Sequence, residues 1–470
     1  MLSSSSLVEI LLNIVKTKVI ALLAGTAGIG LMGLYQSLLN LLRSLSGVFA
    51  GAGVVQTVAG LNTEEQQQLY HALIHYVWRI SLYVTLALMA SSPFLANTFF
   101  GDSGRWTDLI GFALITPVVF LGIFWRSWLN GCRQIRSLAQ LKIQATTAVV
   151  LASIILVYFF GIRGIYLAAL FYPLPMAVLA WRYLRPLLAK QSHPVIKKAS
   201  ARPKHEIKDI LATGKTLLAS SVLFTLSVLL VKALINRELG EHALGLFQSS
   251  WTVAMVYIEI LLVALGMDLF PRLSAAVKKH QSTTPLINQQ LTFSLMLATP
   301  VILGMMLLAP WLLRWLYSAE FESAEQVLLW QLLGDFFKVP AWVLGYALIA
   351  HKKLSHSLML QVVWVGIFGG VSAWLMTSMG VAAAGAAFAL AYGVTAAISL
   401  LMVFWLGFQP NRKARRALAL TTFFILTALF AINQLSYRSH ILLAAFLTSS
   451  GISLYWLRMQ WKTAPAETKS

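Results

Sequence analysis

From residue 7 to residue 458 the chain alternates between long apolar runs and short charged segments, and the runs have the length of a bilayer crossing. Runs able to cover about 30 Å of hydrocarbon fall at 7–24, 31–59, 72–96, 108–130, 141–161 and 164–184. They resume at 210–235, 244–270, 290–316, 327–350, 356–379, 381–407, 417–434 and 439–458. The expected fold is an all-α integral membrane protein of about fourteen transmembrane helices. Composition supports this: 58% of the residues are hydrophobic and only 11% charged, where a soluble domain has about a quarter charged. Mean hydropathy is +0.75. A net charge of +20 would suggest nucleic acid in a soluble chain. Here the basic residues cluster between apolar runs, as in loops facing anionic headgroups, so a membrane-lipid partner is expected and nucleic acid is not. The lone cysteine, Cys132, excludes an internal disulfide. No basic segment or small-residue cleavage site precedes the first run, which is expected to act as an uncleaved anchor.

Loop charge orients the helices. One set of loops carries Arg133, Arg136 and Lys142, the segment from Arg185 to Lys208, Arg272, Lys278 and Lys279, Lys352 and Lys353, Arg412 to Arg416, and the tail with Lys462 and Lys469. The alternate set carries Asp102, Arg105 and Asp108, Arg163, then Arg237, Glu238 and Glu241, then Glu320, Glu322 and Glu325. The positive-inside rule places the first set and both termini in the cytoplasm. The loop Asn62-Thr63-Glu64-Glu65 is acidic and carries no orientation signal.

The chain also repeats itself. Lys18-Val19-Ile20, a short glycine-rich turn and Gly33-Leu34-Tyr35-Gln36-Ser37 return as Lys232-Ala233-Leu234-Ile235, a turn and Gly245-Leu246-Phe247-Gln248-Ser249. An N-terminal lobe of six helices (1–184) and a second of six (210–408) are expected, joined by a basic linker (185–209) with Pro186, Pro194 and Pro203. Residues 409–470 add two further helices and a tail. Six helices is an even number, so the lobes enter in the same sense, as parallel repeats around a central cavity.

Several motifs fail on context. Ala212-Thr213-Gly214-Lys215-Thr216 looks like the end of a P-loop, but Asp209 stands where the motif needs glycine and no strand precedes it. His71 and His75 share a helix face without an acidic third ligand, so neither a metal nor any cofactor is expected. No nucleophile elbow or paired-carboxylate site suggests an enzyme. Gly47-x3-Gly51 and Gly366-x3-Gly370 are expected as helix-packing contacts.

Ionisable residues inside the runs stand out, because a charge near mid-membrane costs several kcal/mol and usually faces a cavity or a partner. They are Lys16 and Lys18 in the first run, Arg43 in the second, Arg79 in the third, Lys232 in the seventh, Glu259 in the eighth, and Asp335 with Lys338 in the tenth. Arg126, Asp268 and Arg272 sit near run ends. Lys232, Arg126 and Arg272 are placed to snorkel. Asp335 and Lys338, three apart, are placed to neutralise each other. Arg43 and Lys18 have no acid near in sequence and are expected to line a cavity, with Glu259 as counter-ion or proton carrier. Cationic side chains in a water-filled cleft suit an anion, phosphate above all. Basic charge is weighted to the first lobe, since Arg43 has no basic match in the second.

Lys18-Val19-Ile20-Ala21-Leu22-Leu23, the Gly-x-x-Gly-Ile-Gly turn at 25–30 and Leu31-Met32-Gly33-Leu34-Tyr35-Gln36-Ser37-Leu38 resemble the opening of the polysaccharide flippases. These are the O-antigen translocases (Wzx type) of the multidrug/oligosaccharidyl-lipid/polysaccharide exporter superfamily. Gly51-Ala52-Gly53 and Leu269-Phe270-Pro271-Arg272-Leu273-Ser274 are similar too. The resemblance implies a non-enzymatic bacterial inner-membrane flippase, carrying an undecaprenyl-pyrophosphate-linked oligosaccharide to the periplasmic leaflet by alternating access. A polysaccharide polymerase and a chain-length regulator are its expected protein partners. Carried over by position, Lys16, Lys18, Arg43, Arg79 and Arg272 are pyrophosphate candidates, with Glu259, Asp335 and Lys338 for coupling or as counter-ions. The alternatives are a drug/cation antiporter of the same superfamily, which would prefer acidic cavity residues, and a non-transporting component of a polysaccharide synthesis complex, which would leave the buried charges without a purpose.

Overall fold

The computed structural model describes residues 2–50, 52–190, 202–433 and 438–463, and these form helices and no strands. In chain order they are α1 (Leu2–Ala50), α2 (Ala52–Gly60), α3 (Thr63–Phe100), α4 (Trp106–Gly131), α5 (Ile135–Phe160), α6 (Ile162–Phe171) and α7 (Pro173–Lys190). Then follow α8 (Arg202–Lys278), α9 (Thr284–Leu316), α10 (Glu325–Ala350), α11 (Leu354–Met379), α12 (Ala382–Trp405), α13 (Arg412–Asn433) and α14 (Arg438–Thr463). Among the described residues nine helices are long and apolar enough to cross a membrane. Large apolar side chains point outward from them, Trp405 being 87% exposed. Only lipid or a partner can cover so much apolar surface. The all-α membrane fold is as expected.

Boundaries differ from hydropathy in instructive ways. The turn expected over 25–30 is one residue wide: Gly25 alone leaves the helix, at φ 61 and ψ −159. Gly240 does the same in α8, at φ 83 and ψ 175. Positive φ is open to glycine at little cost, so each repeat reverses on one glycine and the helix resumes at once. The run at 164–184 is two abutting helices, α6 and α7, because Pro173 has no N–H to donate to the ladder. Helix also runs into both ends of the basic connection, through Lys190 and from Arg202, and 191–201 lies outside the described residues. Helical backbone covers Ala212 to Thr216, and the side chain of Lys215 lies outside the described ones.

Asn62 caps α3: its side chain accepts from the Glu65 N–H at 3.0 Å, and Glu65 Oε2 accepts from the Asn62 N–H at 3.2 Å. Such a cap is worth about 1 kcal/mol, and Glu64 and Glu65 complement the helix dipole. The acidity of this loop is helix-start chemistry. Three hairpins from the basic loop set turn on a non-glycine residue with positive φ: Arg133, His280 and Lys352. The cationic side chains of Arg133 and Lys352 suit the negative ends of the helices they terminate.

The chain forms two compact units, Met1–Gln248 with Leu316–Glu320, and Ser249–Trp315 with Phe321–Ser470. In the first, α3, α4 and α7 share a core of Leu69, Leu73, Val77, Phe124, Trp128, Ala180 and Leu184. The leading part of α8 packs against α1 through glycines. A Cβ on Gly245 would land on the Thr26 carbonyl, and one on Gly30 would lie 2.7 Å from the Glu241 carbonyl and 2.8 Å from the Gly245 nitrogen. In the second unit α10 meets α12 the same way: a Cβ on Gly385 would lie 2.8 Å from the Val327 carbonyl. The glycines expected to pack do not: a Cβ on Gly47, Gly366 or Gly370 would meet nothing within 4 Å, and Gly51 lies outside the described residues. Spacing marks a possible contact, while the partner helix decides which glycine is used. The last helices join the second unit through α9, where Asn288 donates to the Gln409 carbonyl at 3.0 Å and accepts from the Asn411 N–H at 3.0 Å.

Candidate functional site

The first unit gathers cations from both legs of α1. Before Gly25, Glu9 and Lys16 lie seven residues apart and so on one helix face; beyond it the second leg carries Asn40 and Arg43. The Arg43 guanidinium stands 4.6 Å from the centroid of the Tyr172 ring, hydrogen-bonds that side chain, and donates to Asn40 Oδ1 at 3.1 Å. Lys16 and Arg126 of α4 lie within Coulombic reach of this Arg43–Tyr172 pair. Glu9 is within reach as well, but Lys142 of α5 already pairs with it at 2.7 Å and donates to Ser6 at 3.0 Å. Among the described residues, Glu9 is the carboxylate within Coulombic reach of Lys16 and Arg126, and Lys142 also claims it. Like charges held close together repel, and an anion among them relieves that repulsion. Arginine supplies a planar fork and lysine a compact charge, the pair of shapes that phosphate oxygens accept.

Tyr172 and Arg126 are the members that charge and depth alone do not single out as a cavity pair. Tyr172 caps α6 immediately before Pro173, and a tyrosine beside a proline in an apolar run was the readable signal. Arg126, placed to snorkel by its position, is exposed and also within Coulombic reach of Arg43 and Tyr172.

The other candidates are dispersed. Lys18 is half-buried and sits two residues beyond Lys16, about 200° around the helix, so it addresses a different side. Arg79 is exposed on α3, beside exposed Tyr76 and Trp78. Arg272 pairs with Asp268 at 2.8 Å, both side chains largely exposed. Lys232 does not snorkel. It is 3% exposed and donates to the Gly33 carbonyl at 3.2 Å and to Ser37 Oγ at 2.7 Å, bonding one repeat to the other.

In the second unit Asp335 is fully buried and accepts from the Tyr257 hydroxyl at 3.2 Å, while its Oδ1 has no hydrogen-bond partner. Lys338 lies 3.5 Å from Met255 Sδ and 5.5 Å from the Tyr392 ring centroid. Asp335 and Lys338 attract each other electrostatically, but no contact within 4.0 Å pairs them. Glu259 is exposed and within Coulombic reach of Lys338.

A further polar knot lies where the repeat glycines meet. Thr26, next to Gly25, hydrogen-bonds His242 Nδ1 at 2.7 Å and donates to Glu320 Oε1 at 3.0 Å. Arg105 pairs with Glu241 at 2.9 Å. All belong to the end that loop charge assigns to the outside. Thr26 directly follows Gly25, and His242 lies two residues after Gly240.

The chain has counterparts among known proteins. The model of a family described as polysaccharide biosynthesis protein matches residues 23–326. The chain belongs to that family. The match takes in Arg43, Arg126, Tyr172 and Lys232, while Lys16 precedes it and Asp335 follows it. Relatives of this polysaccharide biosynthesis protein include the lipid III flippase of Escherichia coli (strain K12), 23% identical over 401 residues that cover 83% of this chain and 93% of the relative. The lipid III flippase of Shigella flexneri matches with the same figures. Among solved structures, the lipid II flippase MurJ in its inward closed conformation aligns with a TM-score of 0.72 at 14% identity, covering 97% of this chain and 99% of that one. An inward-facing multidrug resistance MATE family transporter of the MOP superfamily aligns at 0.68 and 13% identity, over 87% and 95%. At such identities the likeness shows the fold, which is that of MOP-superfamily transporters.

Proposed function

We propose that the protein is a flippase for a polyprenyl-pyrophosphate-linked oligosaccharide, the repeat unit of an O-antigen or another surface polysaccharide. The observation that carries this reading is the Lys16–Arg43–Arg126 cluster around Tyr172, a site for an anion inside the helices of a polysaccharide biosynthesis family member. Relatives named as lipid III flippases support a lipid-linked substrate. Both termini lie in the cytoplasm of a bacterial inner membrane, and the substrate moves to the periplasmic leaflet by alternating access of the two lobes. An interior-negative potential favours outward movement of its negative charge by roughly 2.3 kcal/mol per charge per 100 mV, so no ATPase is required. Asp335 and Lys338, with Glu259 beside them, are the groups proposed for coupling. Arg79 and Arg272, both exposed, are proposed to meet lipid headgroups. A polymerase and a chain-length regulator remain the proposed protein partners.

The buried, half-satisfied Asp335 favours a second reading, a cation-linked antiporter of the same superfamily. Deleting the gene separates them. The flippase reading expects lipid-linked oligosaccharide trapped on the cytoplasmic face and loss of surface polysaccharide. Unchanged polysaccharide with new sensitivity to cationic dyes would establish the antiporter instead.

Topology is tested by the lone cysteine. Cys132 lies between α4 and α5, half-buried, with its thiol 3.7 Å from Gln66 Oε1. An impermeant maleimide is expected to label it in inverted vesicles and not in intact spheroplasts. Burial pushes the Cys132 thiol up from its ordinary value, so less thiolate is present at neutral pH and labelling should be slow there, quickening as pH rises. Labelling from the outside would reverse the orientation.

A further inference from the structure

A cavity of about 190 Å³ lies within the second unit, between α10, α11 and α12. Its walls include Lys338, Trp342, Ser357, Gln361, Trp364 and Tyr392. We infer that this cavity is a saccharide subsite that takes one pyranose ring.

Its chemistry narrows the occupant by elimination. Ser357 Oγ and Gln361 Nε2 are buried without a hydrogen-bond partner, and such a group is destabilising unless something meets it. An apolar guest, a lipid tail or a methyl-rich drug, would leave both unmet. A pyrophosphate needs several cations, and Lys338 is the only one on the wall, with Asp335 one helical turn away. A cationic guest would face that same lysine. What fits is a neutral ring that carries hydroxyls around its edge and C–H groups on its faces.

The wall is arranged for such a guest. Ser357 and Gln361 are four apart on α11 and so present their polar ends on one side. Trp364 and Tyr392 stand 5.4 Å apart at 57°, and Tyr392 also lies under Lys338 at 5.5 Å. Trp342, half-buried, adds a third ring. Aromatic faces are electron-rich and attract the weakly positive C–H groups of a sugar, while the amide, hydroxyl and ammonium groups bind its oxygens. The volume is below the about 300–1,000 Å³ of drug-sized pockets, which limits the guest to a single ring. The inference rests on the reading of the substrate as glycosylated, and it places recognition of one sugar on residues distinct from the cation cluster of the first unit.

The test uses the full-length protein in nanodiscs, with methyl glycosides of glucose, galactose and N-acetylglucosamine as probes and saturation-transfer NMR as the readout. Saturable transfer to at least one glycoside is expected. Binding should weaken about tenfold or more in Gln361→Leu and in Trp342→Leu, and stay within twofold of wild type in His71→Ala, a change at an exposed position on α3. Should Gln361→Leu misfold by its melting curve, Ser357→Ala serves in its place. Absence of saturable binding to any of the glycosides overturns the inference, as does equal binding by variants that fold normally. Failure of the flippase reading looks different: wild-type protein would bind a glycoside yet leave no lipid-linked oligosaccharide trapped when deleted.

Discussion

Arg43→Ala is expected to lower export of surface polysaccharide by about tenfold or more, with normal protein abundance and little change in melting temperature. The guanidinium sits at the centre of the cation cluster, stacked on Tyr172 and within Coulombic reach of Lys16 and Arg126. A hydrogen bond to a charged group is worth about 1.5–3 kcal/mol, and every 1.4 kcal/mol is about tenfold in affinity. Stability should hold, because removing one of three neighbouring cations relieves repulsion in the empty site. Arg43→Lys should recover part of the activity, since it restores the charge but not the planar fork. Tyr172→Phe, which keeps the ring and removes the hydroxyl, should cost less than Arg43→Ala. Lys16→Ala should lower export and Lys18→Ala should not, because the two lysines address different sides of α1. Normal export by Arg43→Ala at normal abundance would remove the cluster from the mechanism.

The largest effect on stability is expected from Gly245→Ala. Its Cβ would be driven onto the Thr26 carbonyl, and Gly30 opposite is held just as closely against backbone. Backbone cannot rotate aside as a side chain can. Overpacking costs about 1–3 kcal/mol even where side chains relax, so α1 and α8 must separate here and strain the Thr26 bonds to His242 and Glu320. Gly345→Ala is the matched control: nothing lies within 4 Å of its new methyl, and alanine favours helix over glycine by about 1 kcal/mol. Thermal unfolding of the purified protein in detergent should show a clear drop for Gly245→Ala and none for Gly345→Ala. Equal midpoints would mean the two repeats do not meet through these glycines.

Much of the architecture was readable because it is local. A run of apolar residues reports its own burial in lipid, and a loop reports its own charge. Lys18, Lys232 and the two Gly-Leu-aromatic-Gln-Ser steps revealed the repeat, since duplication preserves residues in order. Those same marks carry no direction around a helix. Lys16 and Lys18 look equivalent to a hydropathy scale, yet about 200° of helix separates them. Lys232 looked able to snorkel because its depth is near an end, but the Gly33 carbonyl and Ser37 hydroxyl hold it inside. Gly366 and Gly370 have the spacing of a packing motif and no neighbour.

The sequence alone therefore determined the membrane class, the helical content and the presence of fixed positive charge among the helices, because transfer into hydrocarbon is decided residue by residue. Only the tertiary structure decided which charges assemble. Arg43 meets Lys16 across the Gly25 kink, Arg126 comes from α4, and Tyr172 is presented where Pro173 interrupts the helical ladder. Those partners lie up to 156 residues apart, from Lys16 to Tyr172. Electrostatic attraction and ring stacking act over a few ångströms of space, a distance that chain order does not encode.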